Sequence, residues 1–120
     1  MTLRPVRAIA ALAALAAAAC HPVGPLPPAP ADLVRALDAR AADPCSASTA
    51  AALASRGVTA DQVAGVTYGV LDAGPRFGYE RIGTRAWVEL AGQPGAALID
   101  MGVSCDVNSI TAVRGLRFPR

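Results

Sequence analysis

The chain has 120 residues, enough for one domain, and its hydrophobic content of 53% includes only 4% aromatic residues. All eleven basic residues are arginines, and they exceed the nine acidic residues by two. The surplus lies in Arg4 and Arg7, so the rest of the chain is neutral. A neutral domain has no long-range field to steer it onto nucleic acid, and we expect no nucleic-acid partner.

Residues 1–19 have the pattern of a secretory signal peptide. Arg4 and Arg7 precede the apolar run Ala8–Ala19, which contains no polar side chain. A membrane-spanning helix needs about 20 apolar residues, so this run is too short for a permanent span. The alternative is an alanine-rich helix buried in a fold. The position of the run at the N-terminus, behind two arginines, favours the signal peptide.

The apolar run ends directly in a cysteine, in the sequence Ala17-Ala18-Ala19-Cys20. This pattern resembles the lipobox of bacterial lipoproteins, although Ala17 stands where that family prefers leucine. The resemblance covers only the signal peptide and its cysteine. It implies that Cys20 becomes the mature N-terminus and carries a diacylglycerol thioether and an amide-linked acyl chain. It also implies anchoring in the outer membrane, because His21 rather than aspartate follows the cysteine.

Ordinary signal peptidase offers a second interpretation of the same residues. The small residues before Cys20 also fit its cleavage pattern, and cleavage there would release a soluble periplasmic or secreted protein. Cysteine number favours lipidation, because an exported chain with three cysteines has one left over. Lipidation of Cys20 leaves Cys45 and Cys105 as one possible disulfide. The alternative for these two is a pair of buried free thiols.

Residues 20–31 are expected to form a tether between the lipidated cysteine and the domain. Five of the ten residues from 21 to 30 are prolines, which favour extended polyproline II over helix. Ten such residues would hold the domain about 30 Å from the membrane surface. His21, the single histidine of the chain, is interpreted as part of this tether and not as a ligand.

The candidate domain, residues 32–120, begins with a helical pattern. Apolar residues recur at helical spacing from Leu33 to Ala41, which predicts a helix capped by Asp32. The pair Asp43-Pro44 predicts the start of a second helix, which should end near Gly57. The following residues 59–62 fit a capping box and predict one more short helical turn.

From Val66 the pattern changes to strands separated by turns, which we place at 66–72, 79–91, 96–105 and 109–118. Connections this short require antiparallel neighbours, so a four-stranded antiparallel meander is expected. In the third strand, alternation places Val103 and Cys105 on the core face. Helices followed by strands predict an α+β, two-layer sandwich with the N-terminal helices packed on one face of the sheet. A disulfide between Cys45 and Cys105 would then join the two layers.

The domain shows no catalytic pattern. It contains neither histidine nor lysine, so a serine or cysteine nucleophile would lack its usual base. Its two cysteines lie far apart in the sequence, which disfavours a metal cluster. No phosphate-binding glycine motif is present. We therefore expect a non-enzymatic protein with neither a metal nor a cofactor.

The second strand carries the candidate binding face. Alternation directs one set of side chains towards the helices, namely Ile82, Ala86, Val88 and Leu90. The opposite side then carries an aromatic and arginine stripe, formed by Tyr79, Arg81, Arg85 and Trp87. Tryptophan, tyrosine and arginine are enriched at binding hot spots. The alternative is that Trp87 is a core residue, because a bulge at Gly83 would exchange the two faces.

Together, these patterns favour a membrane-anchored periplasmic lipoprotein of the cell envelope. Its domain would be structural or would bind an envelope protein or glycan through the exposed sheet. The second function class is a soluble secreted or periplasmic protein that acts as a small inhibitor or binding protein. Detection of acyl chains on Cys20 distinguishes the two.

Overall fold

A computed structural model describes residues 23–119 of the chain. The expected signal peptide, residues 1–19, and the expected lipidation site Cys20 lie outside the described residues. The helices and strands, in chain order, are α1 (Ala31–Asp38), α2 (Ser46–Ser55), β1 (Val63–Asp72), β2 (Arg81–Leu90), β3 (Ala96–Gly102) and β4 (Val107–Val113). Two 3-10 turns, Ala60–Gln62 and Pro75–Phe77, precede β1 and β2.

The four strands form one antiparallel sheet in the order β1-β2-β3-β4, and both helices pack on the same face. The largest buried side chains come from both layers. Leu33, Leu37 and Leu53 project from the helices, and Ile99 and Met101 project from β3. The predicted two-layer α+β sandwich is therefore confirmed.

The start of α1 differs from the prediction that Asp32 is its cap. Pro30 is the N-cap, and its carbonyl accepts the backbone N–H of Val34 at 3.0 Å. A proline suits the position before a helix because it has no N–H that would need a partner. Asp32 lies within the first turn, where its carboxylate interacts favourably with the positive end of the helix dipole.

The start of α2 also differs from the prediction, whereas its end agrees. Asp43 accepts the backbone N–H of Cys45 at 2.8 Å, which folds Asp43-Pro44 into a turn ahead of the helix. The helix ends before Gly57, whose φ of 78° is the left-handed conformation expected of a C-terminal glycine. The predicted capping box of Thr59 and Gln62 is present.

The strand β3 is shorter than predicted. It ends at Gly102, whose N–H donates to the Asp106 carbonyl at 2.9 Å and closes a turn. Val103 therefore points into solvent, and its predicted place on the core face is wrong. Cys105 has a φ of 64° and reaches the edge of the core from this turn and not from a strand.

The end of the chain also departs from the strand predicted to reach residue 118. The strand β4 stops at Val113, because Arg114 and Gly115 adopt positive φ values of 53° and 92° and turn the chain. The residues that follow return to the helix side of the sheet. Leu116 is buried there, and Phe118 packs partly against the core.

The strand β2 keeps most of its predicted alternation. Ala86, Val88 and Leu90 are buried on the helix side, and no exchange of faces occurs at Gly83. The bulge lies one residue earlier, because Leu71 pairs with Gly83 and Asp72 pairs with Arg81. Ile82 is the extra residue, and it is exposed and not buried as predicted.

A disulfide joins Cys45 and Cys105, as predicted, across a sequence separation of 60 residues. It connects the start of α2 with the turn after β3, so it links the helical layer to the sheet. In the chain-entropy model, a loop of this size contributes about 4 kcal/mol of stability. That contribution is large for a domain in which Leu53 is the one large apolar side chain buried by the second helix.

The first described residues lie against the domain. Residues 23–30 form no helix or strand, but Leu26 and Ala29 pack against the core. This differs from the expectation of an extended tether reaching residue 31, because only the residues before Leu26 are left to act as a spacer. Among residues 23–119, no helix has the length and apolar character needed to cross a membrane.

Candidate functional site

The side of the sheet opposite the helices, here called the outer face, is covered by no helix of the described residues. The strand register places its side chains in rows that cross the sheet. The central row is Thr67, Trp87, Leu98 and Thr111. The neighbouring row is Gly69, Arg85, Asp100 and Ser109. Trp87 and Arg85, two of the predicted binding residues, therefore lie side by side on this face.

Trp87 is half-buried although it lies outside the core. The guanidinium carbon of Arg114 lies over its ring, 5.3 Å from the ring centre, at the distance of a cation–π contact. Arg114 directly follows β4, and its side chain makes this contact from two strands away in the sheet. The tryptophan is thus held in place on the outer face, with part of its ring open to solvent.

Arg85 is bound to Asp100, which lies directly opposite on β3. Nε donates to Oδ1 at 2.6 Å and Nη2 donates to Oδ2 at 2.9 Å. The hydrogen bond from Arg85 lowers the pKa of Asp100 below its usual value, and the same bond raises the pKa of Arg85. Because the two charges cancel locally, the row is polar but carries no net charge.

A groove of about 400 Å³ lies on the outer face beside this pair and is here called the outer groove. It is lined by Thr67, Gly69, Val70, Leu71, Arg85, Trp87 and Glu89. Gly69 creates the space, because a Cβ built at this position would meet no atom within 4 Å. The indole forms an apolar wall, and Thr67 and Glu89 supply polar atoms at the rim. A groove of this kind suits the side chain or ring of a partner.

The structure separates the other two predicted residues from Arg85 and Trp87. Tyr79 lies in the connection between β1 and β2, with a φ of 57°, and projects from the end of the sheet. Arg81 donates from Nη2 to Oγ1 of Thr84 at 2.8 Å, and Thr84 is buried on the helix side. The bulge at Ile82 explains why Arg81 is not on the outer face. One extra residue in β2 moves the side chains that precede it to the opposite face of the sheet.

A second polar cluster lies inside the domain, next to the disulfide. The Tyr68 hydroxyl lies 3.5 Å from Oγ1 of Thr49 and 3.4 Å from Oγ of Ser46. Thr49 in turn donates to the Cys45 carbonyl at 2.9 Å. These are neutral hydroxyl groups that hydrogen-bond to one another, and no basic side chain of the described residues hydrogen-bonds to them. The cluster therefore fixes α2 on the sheet and does not form a nucleophilic site.

Within residues 23–119, no three histidine, cysteine, aspartate or glutamate side chains come together as a metal site.

The sequence patterns did not identify two residues of the site. Gly69 leaves the space of the outer groove, and Arg114 contacts its tryptophan. Comparisons with protein-family models, with curated proteins and with solved structures found no match. The function therefore has to be inferred from the residues and geometry of the chain itself.

Proposed function

We propose that the protein is a lipoprotein anchored on the periplasmic side of the cell envelope, by default in the outer membrane. Its domain is non-enzymatic and binds an envelope protein or glycan through the outer face of the sheet. The observation that carries the binding function is the position of Trp87, half-buried beside the outer groove on a sheet face that no helix of residues 23–119 covers.

The disulfide supports the lipid anchor. Cys45 and Cys105 account for two of the three cysteines, and Cys20 is the third. Cys20 directly follows the apolar run of the proposed signal peptide, at the position where lipoproteins are acylated. Two or more acyl chains anchor a protein stably, at about 0.8 kcal/mol for each buried methylene group.

The chemistry of the outer face supports binding over catalysis. A tryptophan beside an open groove supplies apolar contact area, and its restrained ring loses little entropy when a partner covers it. The charged groups at the groove are Arg85 and Glu89, and Arg85 is already engaged by Asp100. Within the part of the chain that the structure describes, neither residue hydrogen-bonds to a hydroxyl or thiol that it would activate. A partner would therefore be held by shape, apolar contact and hydrogen bonds.

The anchor is tested by labelling the expressed chain with a fatty acid. The wild-type protein should incorporate the label and remain with the membranes, and Cys20→Ala should not be labelled. A mature wild-type protein that is unlabelled and soluble would instead favour the alternative function, a secreted or periplasmic inhibitor or binding protein.

The binding face is tested by photo-crosslinking in the native envelope. A crosslinking residue at Thr67, on the rim of the outer groove, should capture a partner. The same group at Arg35, which is exposed on α1, is the matched control and should not capture it. The substitution Trp87→Ala should abolish capture at position 67. Equal capture from both positions, or capture unaffected by Trp87→Ala, would contradict the proposed face.

A further inference from the structure

One end of the sheet exposes large apolar side chains. Here β1 ends, β2 begins and β3 ends, and the five side chains are between 54% and 67% exposed. They are Val70, Phe77, Tyr79, Ile82 and Val103, here called the apolar end. They include every large hydrophobic side chain that is strongly exposed within residues 23–119. Apolar exposure concentrated in one place is typical of a contact surface.

The strand register explains why these residues lie together. Gly83 and Gly102 are the last pair between β2 and β3 at this end of the sheet. Ile82 and Val103 are the next residues on their strands, so they lie beside each other just beyond this pair. On the other side of β2, a hydrogen bond of 2.9 Å from the Ala73 N–H to the Glu80 carbonyl extends the hairpin beyond the strands. The tip of this hairpin carries the 3-10 turn Pro75–Phe77, followed by Tyr79. The two aromatic rings are therefore on the outermost part of the domain.

The first described residues pass close to the same region. Val23, Gly24 and Leu26 line one groove with Cys105 and its neighbours in the turn that carries Val103, and a second groove with Ser55, Arg56 and Ile110. Val23 is the third residue after Cys20, and an extended chain spans at most about 3.6 Å per residue. A lipidated Cys20 would consequently lie within about 11 Å of Val23 and hold the domain close to the bilayer.

We propose that the apolar end rests on the membrane, with Phe77 and Tyr79 at the boundary between lipid headgroups and acyl chains. The inference rests on the lipid anchor of the proposed function and names the bilayer as a second partner of the domain. Aromatic side chains favour this boundary because their rings combine an apolar body with a polar or polarisable edge. The strands then stand upright on the bilayer, and the outer groove opens sideways along the membrane.

The charges at this end favour an apolar contact over an electrostatic one. Two arginines, Arg76 and Arg81, lie among three acidic residues, Asp72, Glu80 and Asp106. This balance gives no attraction to anionic lipids, so the contact should be insensitive to salt. Salt resistance separates it from the binding of a polybasic surface.

Tryptophan quenching by lipid tests the contact in the full, lipidated chain. The protein is reconstituted in phosphatidylethanolamine–phosphatidylglycerol vesicles with brominated acyl chains, in a Trp87→Phe background. Phe77→Trp places the probe at the apolar end, and Ala91→Trp places a matched probe at the opposite end of β2, where Ala91 is also exposed. We expect at least about threefold stronger quenching at position 77, unchanged between low and high salt.

The outcomes separate the surface from the anchor. Weak or equal quenching at position 77, in protein that carries lipid and sediments with the vesicles, overturns the membrane-contact surface and leaves the anchor intact. If Cys20 carries no lipid, the anchor fails and the released chain is mixed with the same vesicles. Salt-resistant quenching at position 77 of this released chain would still support the membrane-contact surface. Absence of such quenching would overturn the membrane-contact surface. As a further check, a crosslinking residue can be placed at position 77 in the native envelope. Capture of a protein in place of lipid from this position would also overturn the membrane-contact surface.

Discussion

Arg85 and Asp100 face each other across β2 and β3, and two hydrogen bonds of 2.6 and 2.9 Å join the guanidinium to the carboxylate. This pair gives the outer face its one charge-assisted link between strands among the described residues. Its geometry is favourable, but both side chains remain partly in contact with solvent. Solvent screening therefore limits its contribution to about 1 kcal/mol or less.

The pair should make stability depend on pH in the acidic range. The pKa of Asp100 is lowered in the folded state, so the unfolded chain binds its proton more readily. The stabilisation is complete above the ordinary aspartate pKa of about 3.9 and is lost as the pH falls through the lowered value. Denaturant melts of the wild type and Asp100→Asn as a function of pH measure this. The difference between them should disappear at the acidic end, and a constant difference would contradict the assignment.

Replacement of Trp87 should cost less than replacement of a core residue. The ring is half-buried and packs against Arg114, so we expect Trp87→Ala to lower the free energy of unfolding by about 1–2 kcal/mol. Ile99→Ala, in the fully buried centre of β3, is the control and should cost about 2–5 kcal/mol. Equal losses in denaturant melts would show that the tryptophan acts as a core residue.

Two glycines on neighbouring strands should respond differently to alanine. A Cβ at Gly83 would lie 2.0 Å from the Met101 carbonyl oxygen, so Gly83→Ala should distort the sheet and cost at least about 2 kcal/mol. Gly69→Ala meets no atom within 4 Å and should preserve or slightly raise stability. The added methyl group should nevertheless reduce partner capture from Thr67, because it occupies the outer groove. Unchanged capture would contradict a role for the groove.

Removal of the disulfide should lower stability without changing membrane attachment. The double substitution Cys45→Ala and Cys105→Ala should cost about 2–4 kcal/mol, because the unfolded chain regains the freedom of a long loop. Mass spectrometry of the alkylated wild-type domain should show two additional thiols only after reduction. Two thiols that alkylate without reductant, in unfolded protein from the native compartment, would contradict the bond.

Much of the fold follows from local sequence patterns. Turn-forming glycines and short connections define the meander, and alternation in β2 identifies Ala86 and Val88 as core residues. The disulfide is predicted from cysteine number together with the proposed export. These features depend on spacing along the chain, which the sequence displays directly.

The details of the site depend on contacts that spacing does not reveal. The bulge at Ile82 removes Tyr79 and Arg81 from the outer face, and nothing in the alternation before Gly83 indicates it. Arg114 reaches Trp87 from a left-handed turn with Gly115, and a glycine indicates a turn without indicating that the arginine beside it lies over the indole. Leu26 packs against the core, and the proline pattern, which predicts an extended tether, does not indicate this contact.

Cys105 follows both helices and three of the four strands, which has a consequence for the timing of folding in a chain that is exported as proposed. Its disulfide with Cys45 spans 60 residues and could close only after these elements had crossed the membrane. In a reducing compartment before export the cross-link would be missing, and the alanine-rich helix α2 has little apolar area with which to hold the layers together. A chain exported as proposed would thus remain unfolded enough to pass through the translocation channel. It would become stably folded only after the disulfide forms on the other side.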